Sequence, residues 1–518
     1  GVSANDYMEN VTSFSASLIS SLKGNTAKAA DVANMAMIDM SDNANKMGTN
    51  MDRCIFGLIN IESIGVSCSF MVEDFVVTLI PQQDQVSKCK LRQWAEQVDE
   101  NDRIEWLSGI TSDNKVIHIA RRLRGGYRFG SGIDIGAINF FSPVIIEYID
   151  SYCKKENGFY GIEFIGGDIN LVYPPDKAID YTREPYGIQY TDPNTYTNNY
   201  DIELNEDRFR LIKTIDTHYV MSLGKIVDLP KNIKSKLRIE FDQEKQFDDL
   251  LKYYGYIRNL ITFLTRMSTN LFKVKLLTKD SIDGKEYYKD IANVRLYGDS
   301  SSEHSDILTI QDVLKLDDIG DGIVELFKIL NHDDEMPNLL FLPDSLKERG
   351  FIKYTQIVDI CSAIEIEYKL GLKQQENNDL KTKAIDLAKQ INTFVDSIDT
   401  DNLLKEKAKS IIASGLKNYS PSLREKIKLL YSSHKDGLEL IIKDHTWIPN
   451  FTDEIFYKNI KQFIEMRNRT AHQKMSWNGG EAIYTHIMIL IYLSIFERAN
   501  ISRDIAISSI NRGFRNIF

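Results

Sequence analysis

The sequence predicts an α+β protein of several domains, in which a β-rich N-terminal half precedes an all-α helical bundle. Two observations support this fold class. Between residues 51 and 300, short runs of β-branched and aromatic residues alternate with turn-forming residues, which indicates strands. After Asp299-Ser300, apolar residues recur every three to four positions, which indicates amphipathic helices. The 518 residues are enough for two or three domains with large cores.

The chain divides into three predicted regions. Residues 1–48 are expected to form a helical appendage, because apolar residues recur there at helical spacing. Residues 49–303 are expected to form a sandwich or barrel with one long helix. Residues 304–518 are expected to be all-α, with the core of the bundle at about 350–498. The helical stripe of the first region is Val11, Phe14, Leu18 and Leu22.

The predicted strands of the β-rich region follow its β-branched and aromatic runs. The first four are Cys54–Ile61, Val66–Val72, Phe75–Ile80 and Val116–Ala120. The later ones are Phe209–Ile215, Tyr219–Leu223, Leu237–Phe241, Val274–Leu277 and Ile291–Leu296, and the long helix lies between Phe247 and Leu264.

Two glycine pairs are each expected to turn a β-hairpin, because glycine accepts the positive φ of tight turns. The first pair is Gly125-Gly126. The second pair, Gly166-Gly167, would join the strands Tyr160–Ile165 and Asp168–Tyr173. The chain is then expected to form a loop rich in Tyr, Asn and Pro as far as about residue 200.

Apolar stripes at a period of 3.6 residues predict the helices of the C-terminal half. One stripe is Ile357, Cys361, Ile364 and Tyr368, and a longer one is Leu380, Ala384, Leu387, Ile391, Phe394 and Ile398. Leu403–Leu416 is a further predicted helix, and Ser422 with Glu425 forms a capping box that opens the next one. Helices at about 453–470 and at 481–498 complete the bundle.

Composition narrows the functional classes. The net charge of −11 argues against a protein that coats nucleic acid, although a small basic pocket could still receive one RNA loop. Five scattered cysteines form no CxxC pair, so neither a zinc site nor a disulfide framework is expected. The first twenty residues lack a signal-peptide pattern, and we expect a cytoplasmic protein. The apolar run Ala482–Phe496 is too short to span a bilayer and predicts a buried helix.

The most informative stretch lies at the end of the predicted helix 453–470. Ile460, Phe463, Ile464 and Arg467 fall at i, i+3, i+4 and i+7, so they share one face. Burying a guanidinium without a partner is costly, because its charge cannot be lost. Arg467 is therefore expected to point at a core partner, at another chain or at a bound anion.

The residues after Arg467 add further expectations. Arg469 lies four residues after Glu465 and can pair with it on the solvent side. Asn468 and His472 are also four residues apart, so their side chains can meet if the helix extends that far. A purely structural alternative remains open: Arg467 pairs with a core carboxylate, and His472 ends the helix beside its last carbonyls.

The run EMRNRTAHQ at 465–473 resembles the end of a helix in the HEPN superfamily. The motif of that superfamily, Rx4-6H, usually has Asn directly after Arg, and Arg467, Asn468 and His472 match it position by position. A β-rich half followed by a helical half also resembles the ApeA-type HEPN proteins of bacterial anti-phage defence. Over residues 51–300 this resemblance rests on the order of the two halves and on the general residue pattern. Over residues 350–498 it rests on the motif.

The resemblance implies an endoribonuclease that needs no metal and no other cofactor. The 2′-hydroxyl of the RNA would attack the neighbouring phosphate, which makes the step intramolecular. His472 would act as the general base or acid, and Arg467 would hold the phosphate and stabilise the growing charge. Asn468 would orient His472 or bind a phosphate oxygen.

An acidic residue from an earlier helix commonly supports this pair in HEPN ribonucleases. Glu365 and Glu367 both flank the stripe of the predicted helix 352–371, and spacing does not choose between them. Glu365 is preferred, since it lies one turn after Cys361. Weaker contacts with RNA are expected from Arg469, Glu367, Arg424 and Lys428.

A homodimer is a further implication of the resemblance. HEPN sites are composite, with two motifs that face each other, and here no other His has an Arg five to seven residues before it. One motif per chain implies a homodimer through the HEPN domain. The exposed side of the apolar helix 481–498 is expected to contribute to that interface.

The implied biological role is abortive infection: the enzyme cleaves host RNA, with tRNA loops as the expected target, after a phage-derived trigger arrives. The β-rich domain would be the sensor or regulator, and no membrane partner is expected. The alternative is a catalytically inactive HEPN-like dimerisation or binding module that carries a β-rich recognition domain. A third hypothesis makes the chain the toxin of a toxin–antitoxin pair.

Overall fold

The computed structural model describes residues 54–82, 84–97, 103–123, 127–129, 136–150, 158–183, 186–217, 233–297, 312–344, 348, 352–372, 378–413, 415, 421–444, 451–471 and 481–514. The predicted appendage 1–48, the predicted strand Tyr219–Leu223 and His472 lie outside these residues.

The strands are antiparallel to their neighbours throughout the described part of the chain. In chain order they are β1 (Ile55–Ile61), β2 (Val66–Glu73), β3 (Val76–Pro81), β4 (Ile104–Thr111), β5 (Val116–Arg122), β6 (Tyr127–Phe129), β7 (Ile138–Phe141), β8 (Val144–Tyr148), β9 (Gly158–Ile165), β10 (Ile179–Arg183), β11 (Tyr186–Tyr190), β12 (Asn198–Leu204), β13 (Asp207–Asp216), β14 (Lys234–Gln246), β15 (Lys273–Ile282) and β16 (Lys285–Leu296). One large sheet has the order β12-β13-β14-β9-β15-β16-β8-β5-β4-β1-β2-β3-β7-β6, and β10 pairs with β11.

Helices dominate the second half of the described chain. In chain order the helices are α1 (Gln85–Ala95), α2 (Asp168–Val172), α3 (Pro193–Tyr196), α4 (Leu250–Thr265), α5 (Leu316–Ile319), α6 (Ile323–Asn331), α7 (Tyr354–Glu367), α8 (Asn378–Ser397), α9 (Asn402–Ile412), α10 (Leu423–Asp444), α11 (Asp453–Ala471), α12 (Glu481–Arg498) and α13 (Arg503–Gly513). The predicted fold class, a β-rich half before a helical half, is confirmed.

One end of the sheet curls into a barrel-like unit. The run β8-β5-β4-β1-β2-β3-β7 begins and ends with strands that are consecutive in the chain, joined by Ser142-Pro143. Side chains from β1, β2, β3, β5, β7 and β8 enclose one apolar core, which Leu91 and Trp94 of α1 help to close. The alternating burial of β3 shows why these residues form a strand with one face toward that core.

The larger core crosses the predicted boundary at 303/304. It runs without interruption from the strands β9, β13 and β14 through α4 to the helices of the C-terminal half. Tyr492 of α12 donates a hydrogen bond to the carbonyl oxygen of Phe263 in α4 at 2.9 Å, and the two rings stack with their centroids 4.4 Å apart. The two halves therefore share one hydrophobic interior.

Arg266 links three segments at the end of α4. It adopts a left-handed conformation with φ of 56°, which for a residue other than glycine costs about 1 kcal/mol. Its Nη2 donates to the carbonyl oxygens of Asp312 at 2.8 Å and Gly513 at 2.7 Å. The guanidinium also lies 4.1 Å from the ring centroid of Phe514. These contacts offset the strain and attach the end of α13 to α4.

Helix α12 is buried along most of its length. Its residues from Ile483 to Phe496 are all buried, whereas Ala482 before them and Glu497 and Arg498 after them reach solvent. The expected exposed side that would contribute to a dimer interface is therefore wrong, because α6, α7, α10, α11 and α13 pack around the helix within the same chain and Phe263 of α4 stacks on it. None of the described helices is long and apolar enough to span a membrane.

The structure corrects both predicted glycine hairpins. The strand before Gly125-Gly126, β5, pairs with β4 and β8, whereas the strand after it, β6, pairs with β7. After Gly166-Gly167 the chain enters α2 and not a strand. The carboxylate of Asp168 accepts a hydrogen bond from the amide of Leu271 at 2.7 Å, and its own amide donates to the carbonyl oxygen of Leu271. This tertiary pairing turns the chain inward, where Ile169 and Val172 are buried.

The sequence patterns also missed several elements. Helix α1 and the strands β4, β7 and β8 had no prediction, and the expected loop before residue 200 contains the β10–β11 hairpin and α3. The helix expected at Leu403–Leu416 is described as α9, which ends at Ile412. The capping box of Ser422 and Glu425 is confirmed: the carboxylate of Glu425 accepts from the Ser422 amide at 2.7 Å.

Replacing Gly167 by alanine should destabilise the fold strongly. A Cβ atom there would lie 1.8 Å from the carbonyl oxygen of Leu271, and the φ of +51° disfavours any side chain. We expect a loss of about 3 kcal/mol in the free energy of unfolding, measured by urea denaturation. Gly284→Ala is the control, since Gly284 has a φ of +75° but nothing within 4 Å of the added atom, and it should cost about 1 kcal/mol. Equal losses in both variants would contradict the close approach.

His486 of α12 should make the stability depend on pH. It is buried beside the rings of Phe451 and Phe456, and burial lowers its pKa from 6.5 to about 4. The unfolded chain takes up a proton as pH falls below about 6.5, whereas the folded chain does not until about pH 4. The free energy of unfolding should therefore fall by roughly 3 kcal/mol through this group between these pH values. His486→Phe should flatten the pH dependence measured by urea denaturation, and parallel curves would contradict this assignment.

Candidate active site

Helix α11 presents its last turn at the surface of the bundle. Phe456, Ile460 and Phe463 are buried and anchor the helix, and Ile464 is half-buried beside them. Arg467 lies on the same face of the helix one turn later, but beyond the edge of the core, and its side chain is exposed. One of the three expectations for Arg467, a partner within the core, is therefore wrong.

The motif residues that the structure describes lie side by side. Nη1 of Arg467 donates to Oδ1 of Asn468 at 3.3 Å, and both side chains are exposed. Two polar groups that can bind a phosphate oxygen are thus presented together to solvent. His472 lies outside the described residues, as does the side chain of Arg469.

Glu365 lies on the side of α7 that approaches this turn of α11. Burial raises the pKa of the Cys361 thiol to about 12, while the charge of Arg467 lowers it and the charge of Glu365 raises it. Both charges are therefore near the same buried thiol. Glu365 is about half exposed on its side chain, so its carboxylate can reach solvent beside the motif. The preference for Glu365 as the supporting acidic residue stays a prediction.

Glu367 faces the opposite side of α7 and is fully buried. Its carboxylate accepts from Oγ of Ser494 at 2.7 Å, and it pairs with Nη2 of Arg498 at 2.9 Å. Burial raises the pKa of Glu367, and the charge of Arg498 opposes this shift. The expected weak contact between Glu367 and RNA is wrong for this conformation, because the group is enclosed between α7 and α12.

Lys426, which the sequence analysis did not single out, lies beside Glu365. Its Nζ forms an ion pair with Oε2 of Glu365 and lies 5.2 Å from the ring centroid of Tyr368, and the residue is buried. A signal was present in the sequence: Leu423, Lys426, Ile427 and Leu430 fall at i, i+3, i+4 and i+7, so Lys426 sits within an apolar stripe. A lysine at such a position calls for a buried partner.

The other predicted contacts lie along α10. Arg424 is exposed, and Lys428 is half-buried with its Nζ 5.1 Å from the ring centroid of Tyr457 on α11. Lys428 therefore covers the groove between α10 and α11 with a positive charge. Both residues share α10 with Lys426, so these three cations extend from the Glu365 pair toward solvent.

Comparison with known protein families gives a match in the N-terminal half. Residues 92–328 match the family model described as ApeA N-terminal domain 1. The match begins within α1 and ends within α6, so it includes most of the large sheet and the helix α4. It supports the resemblance to ApeA-type defence proteins and ends before α7, α10 and α11. No curated protein and no solved structure matches this chain.

Glu365 and Glu367 should differ sharply in their importance for stability. Glu367→Ala leaves the largely buried guanidinium of Arg498 without its carboxylate, so we expect a loss of about 3–5 kcal/mol in the free energy of unfolding. Glu365→Ala is the matched comparison two residues away, and it should cost less, about 1–2 kcal/mol, because water can replace the half-exposed carboxylate beside the buried Nζ of Lys426. Urea denaturation measures both values. Similar losses in the two variants would contradict the burial assigned to Glu367.

Proposed function

We propose that this chain is a metal-independent HEPN endoribonuclease that acts in anti-phage defence by abortive infection. The observation that carries the proposal is the exposed pair Arg467 and Asn468 at the end of α11, with Glu365 on the neighbouring helix. The Rx4-6H spacing from Arg467 to His472 and the ApeA-type N-terminal region support the same reading.

The proposed reaction uses a nucleophile that RNA itself carries. His472 removes the proton from the 2′-hydroxyl, whose oxygen attacks the adjacent phosphorus while the bond to the 5′-oxygen breaks. The leaving 5′-oxygen takes up a proton, and the products are a 2′,3′-cyclic phosphate and a 5′-hydroxyl. Arg467 stabilises the charge that grows on the phosphate oxygens, because its planar guanidinium can bind two of them at once.

Asn468 and Glu365 have positioning roles in this proposal. Asn468 already accepts a hydrogen bond from Arg467, so it restrains the guanidinium and leaves its own amide group for His472 or a phosphate oxygen. Glu365 carries a negative charge near Arg467 and is held by Lys426. Because Lys426 already balances part of the charge of Glu365, this carboxylate can orient Arg467 and still leave the guanidinium enough positive charge to bind a phosphate.

The substrate and assembly follow from the same proposal. A net charge of −11 favours the capture of one exposed RNA loop over the coating of long RNA, and a tRNA loop in the cytoplasm is the expected target. One motif per chain requires a homodimer for a composite site. The β-rich half would sense a phage-derived trigger, and its shared core with the helical half provides a direct route for a structural response.

A non-catalytic module is the second candidate. The ion pair between Glu365 and Lys426 favours it, since this carboxylate is engaged by Lys426 and not by Arg467. In that case the helical half would only join copies of a β-rich recognition domain.

RNA cleavage in EDTA distinguishes the two candidates. The assay is run on a tRNA pool both with and without lysate of phage-infected cells. Wild-type protein should release discrete RNA fragments with cyclic-phosphate ends. Arg467→Ala and His472→Ala should each lower the rate roughly 100-fold or more, because each removes a group that acts on the transition state. Arg208→Ala is the control, since this exposed arginine lies on β13 in the N-terminal half.

The outcomes separate clearly. Full activity in both motif variants would reject the site assignment. No cleavage under any condition, with phage protection unchanged in the variants, would favour the binding module. Killing without phage, together with rescue by a co-expressed neighbouring protein, would identify a toxin.

A further inference from the structure

Helices α8 and α9 form a helical hairpin, residues 378–412, that carries apolar side chains on its outer surface. The two helices pack against each other. Helix α9 nevertheless buries none of its residues, and on α8 the buried apolar residue among those described is Ala388. Leu403 is 77% exposed and Phe394 is 66% exposed. An outer surface of this kind is unusual for a helix that stays alone in water.

The apolar residues of α8 follow a heptad pattern and not the wider stripe of a surface helix. Leu380, Ala384, Leu387, Ile391, Phe394 and Ile398 are spaced alternately by four and three residues. This a/d spacing is the pattern of a seam between two packed helices. Leu387, Phe394 and Ile398 of that seam are exposed, and Ala384 and Ile391 are half-buried at the edge of the face that includes the buried Ala388. One side of the heptad seam therefore lies on the surface of the hairpin.

Helix α9 extends the exposed seam. Leu404 and Ile411 are seven residues apart, so they lie on one face two turns apart, and they are 61% and 64% exposed. An 11-residue helix with no buried side chain is marginal in water, because its own hydrogen bonds barely offset the entropy of ordering it. A partner that covers this face would supply the missing stabilisation.

The seam of α8 matches an antiparallel copy of itself. Ala384 and Ile398 each lie seven residues from Ile391, and Leu387 and Phe394 lie four before it and three after it. A two-fold axis near Ile391 would thus place apolar residues opposite apolar residues from Ala384 to Ile398. Such a self-complementary surface is what an isologous interface requires.

The charges of the hairpin favour the same arrangement. The turn between α8 and α9 is acidic, and the two helices beside it carry a net positive charge. The turn carries Asp396, Asp399 and Asp401 and no basic residue, whereas the two helical segments beside it carry six lysines (Lys381, Lys383, Lys389, Lys405, Lys407 and Lys409) against three acidic residues (Asp379, Asp386 and Glu406). An antiparallel pair places the turn of each hairpin over the helices of the other, where opposite charges meet. A parallel pair would bring the two acidic turns together, which is unfavourable.

We propose that two copies of this chain associate through the outer seam of the helical hairpin, antiparallel to each other, so that the four helices form a bundle. The proposal rests on the proposed function for the need of two copies, and on the exposed seam for the place where they meet. It replaces α12, which is buried, as the expected dimer surface.

The first test is the oligomeric state by analytical ultracentrifugation. Wild-type protein should sediment as a dimer, and Phe394→Asp combined with Leu404→Asp should raise the dissociation constant roughly 100-fold or more. Ile282→Asp is the matched control, because Ile282 is 61% exposed on β15, far from the hairpin in sequence. Unfolding curves that coincide with the wild-type curve at concentrations where all proteins are monomers would show that the variants fold.

A charge exchange tests the antiparallel orientation. With the two-fold axis near Ile391, Asp399 of one copy lies close to Lys383 of the other. Asp399→Lys alone should weaken the dimer about tenfold, and the addition of Lys383→Glu should restore it, because the pair of opposite charges returns with its signs exchanged. A double variant weaker than the single one would overturn the antiparallel arrangement.

The remaining outcomes distinguish this proposal from the proposed function. A wild-type monomer at every concentration would overturn the hairpin interface, as would a dimer that survives both aspartate substitutions. A wild-type dimer that the substitutions dissociate, but that does not cleave RNA, would support the interface and count against the ribonuclease. Cleavage by the hairpin variant at wild-type rate would show that the composite site forms elsewhere.

Discussion

The burial of one helix organises the C-terminal half. Helix α12 is apolar around its whole circumference, so water is an unfavourable environment for every face. It contacts α4 of the β-rich half through the stacked rings of Phe263 and Tyr492, and it packs against α6, α7, α10, α11 and α13 of the helical half. Helices α7, α10 and α11 each pack against α12, so their positions relative to one another depend on it. The candidate active site is built on those three helices.

Two acidic residues of α7 mark the boundary between the candidate site and the core. Two glutamates two residues apart on α7 point to different environments. Glu367 enters the core and meets Arg498 of α12, whereas Glu365 stays near the surface with Lys426. The buried pair holds α7 against α12 in one rotational setting. That setting is what brings Glu365 toward Arg467, so a structural ion pair on one face orients a candidate functional group on the other.

The shared core also gives the β-rich half a physical connection to the site. The residues that match the ApeA N-terminal model end within α6, and helix α4 of that region stacks on α12 through Phe263 and Tyr492. Arg266 attaches the end of α4 to the end of α13. A ligand that displaced α4 would therefore act on the packing of α12 directly.

Local patterns in the sequence were enough for the order of strands before helices, for the capping box at Ser422, and for Arg467 at the end of an amphipathic helix. These features depend on residues three to seven positions apart. The turn at Gly167, the burial of Lys426 and the division of labour between Glu365 and Glu367 depend on partners about sixty to more than a hundred residues away. Only the tertiary structure could decide them, because periodicity shows which face a residue occupies but not what that face meets.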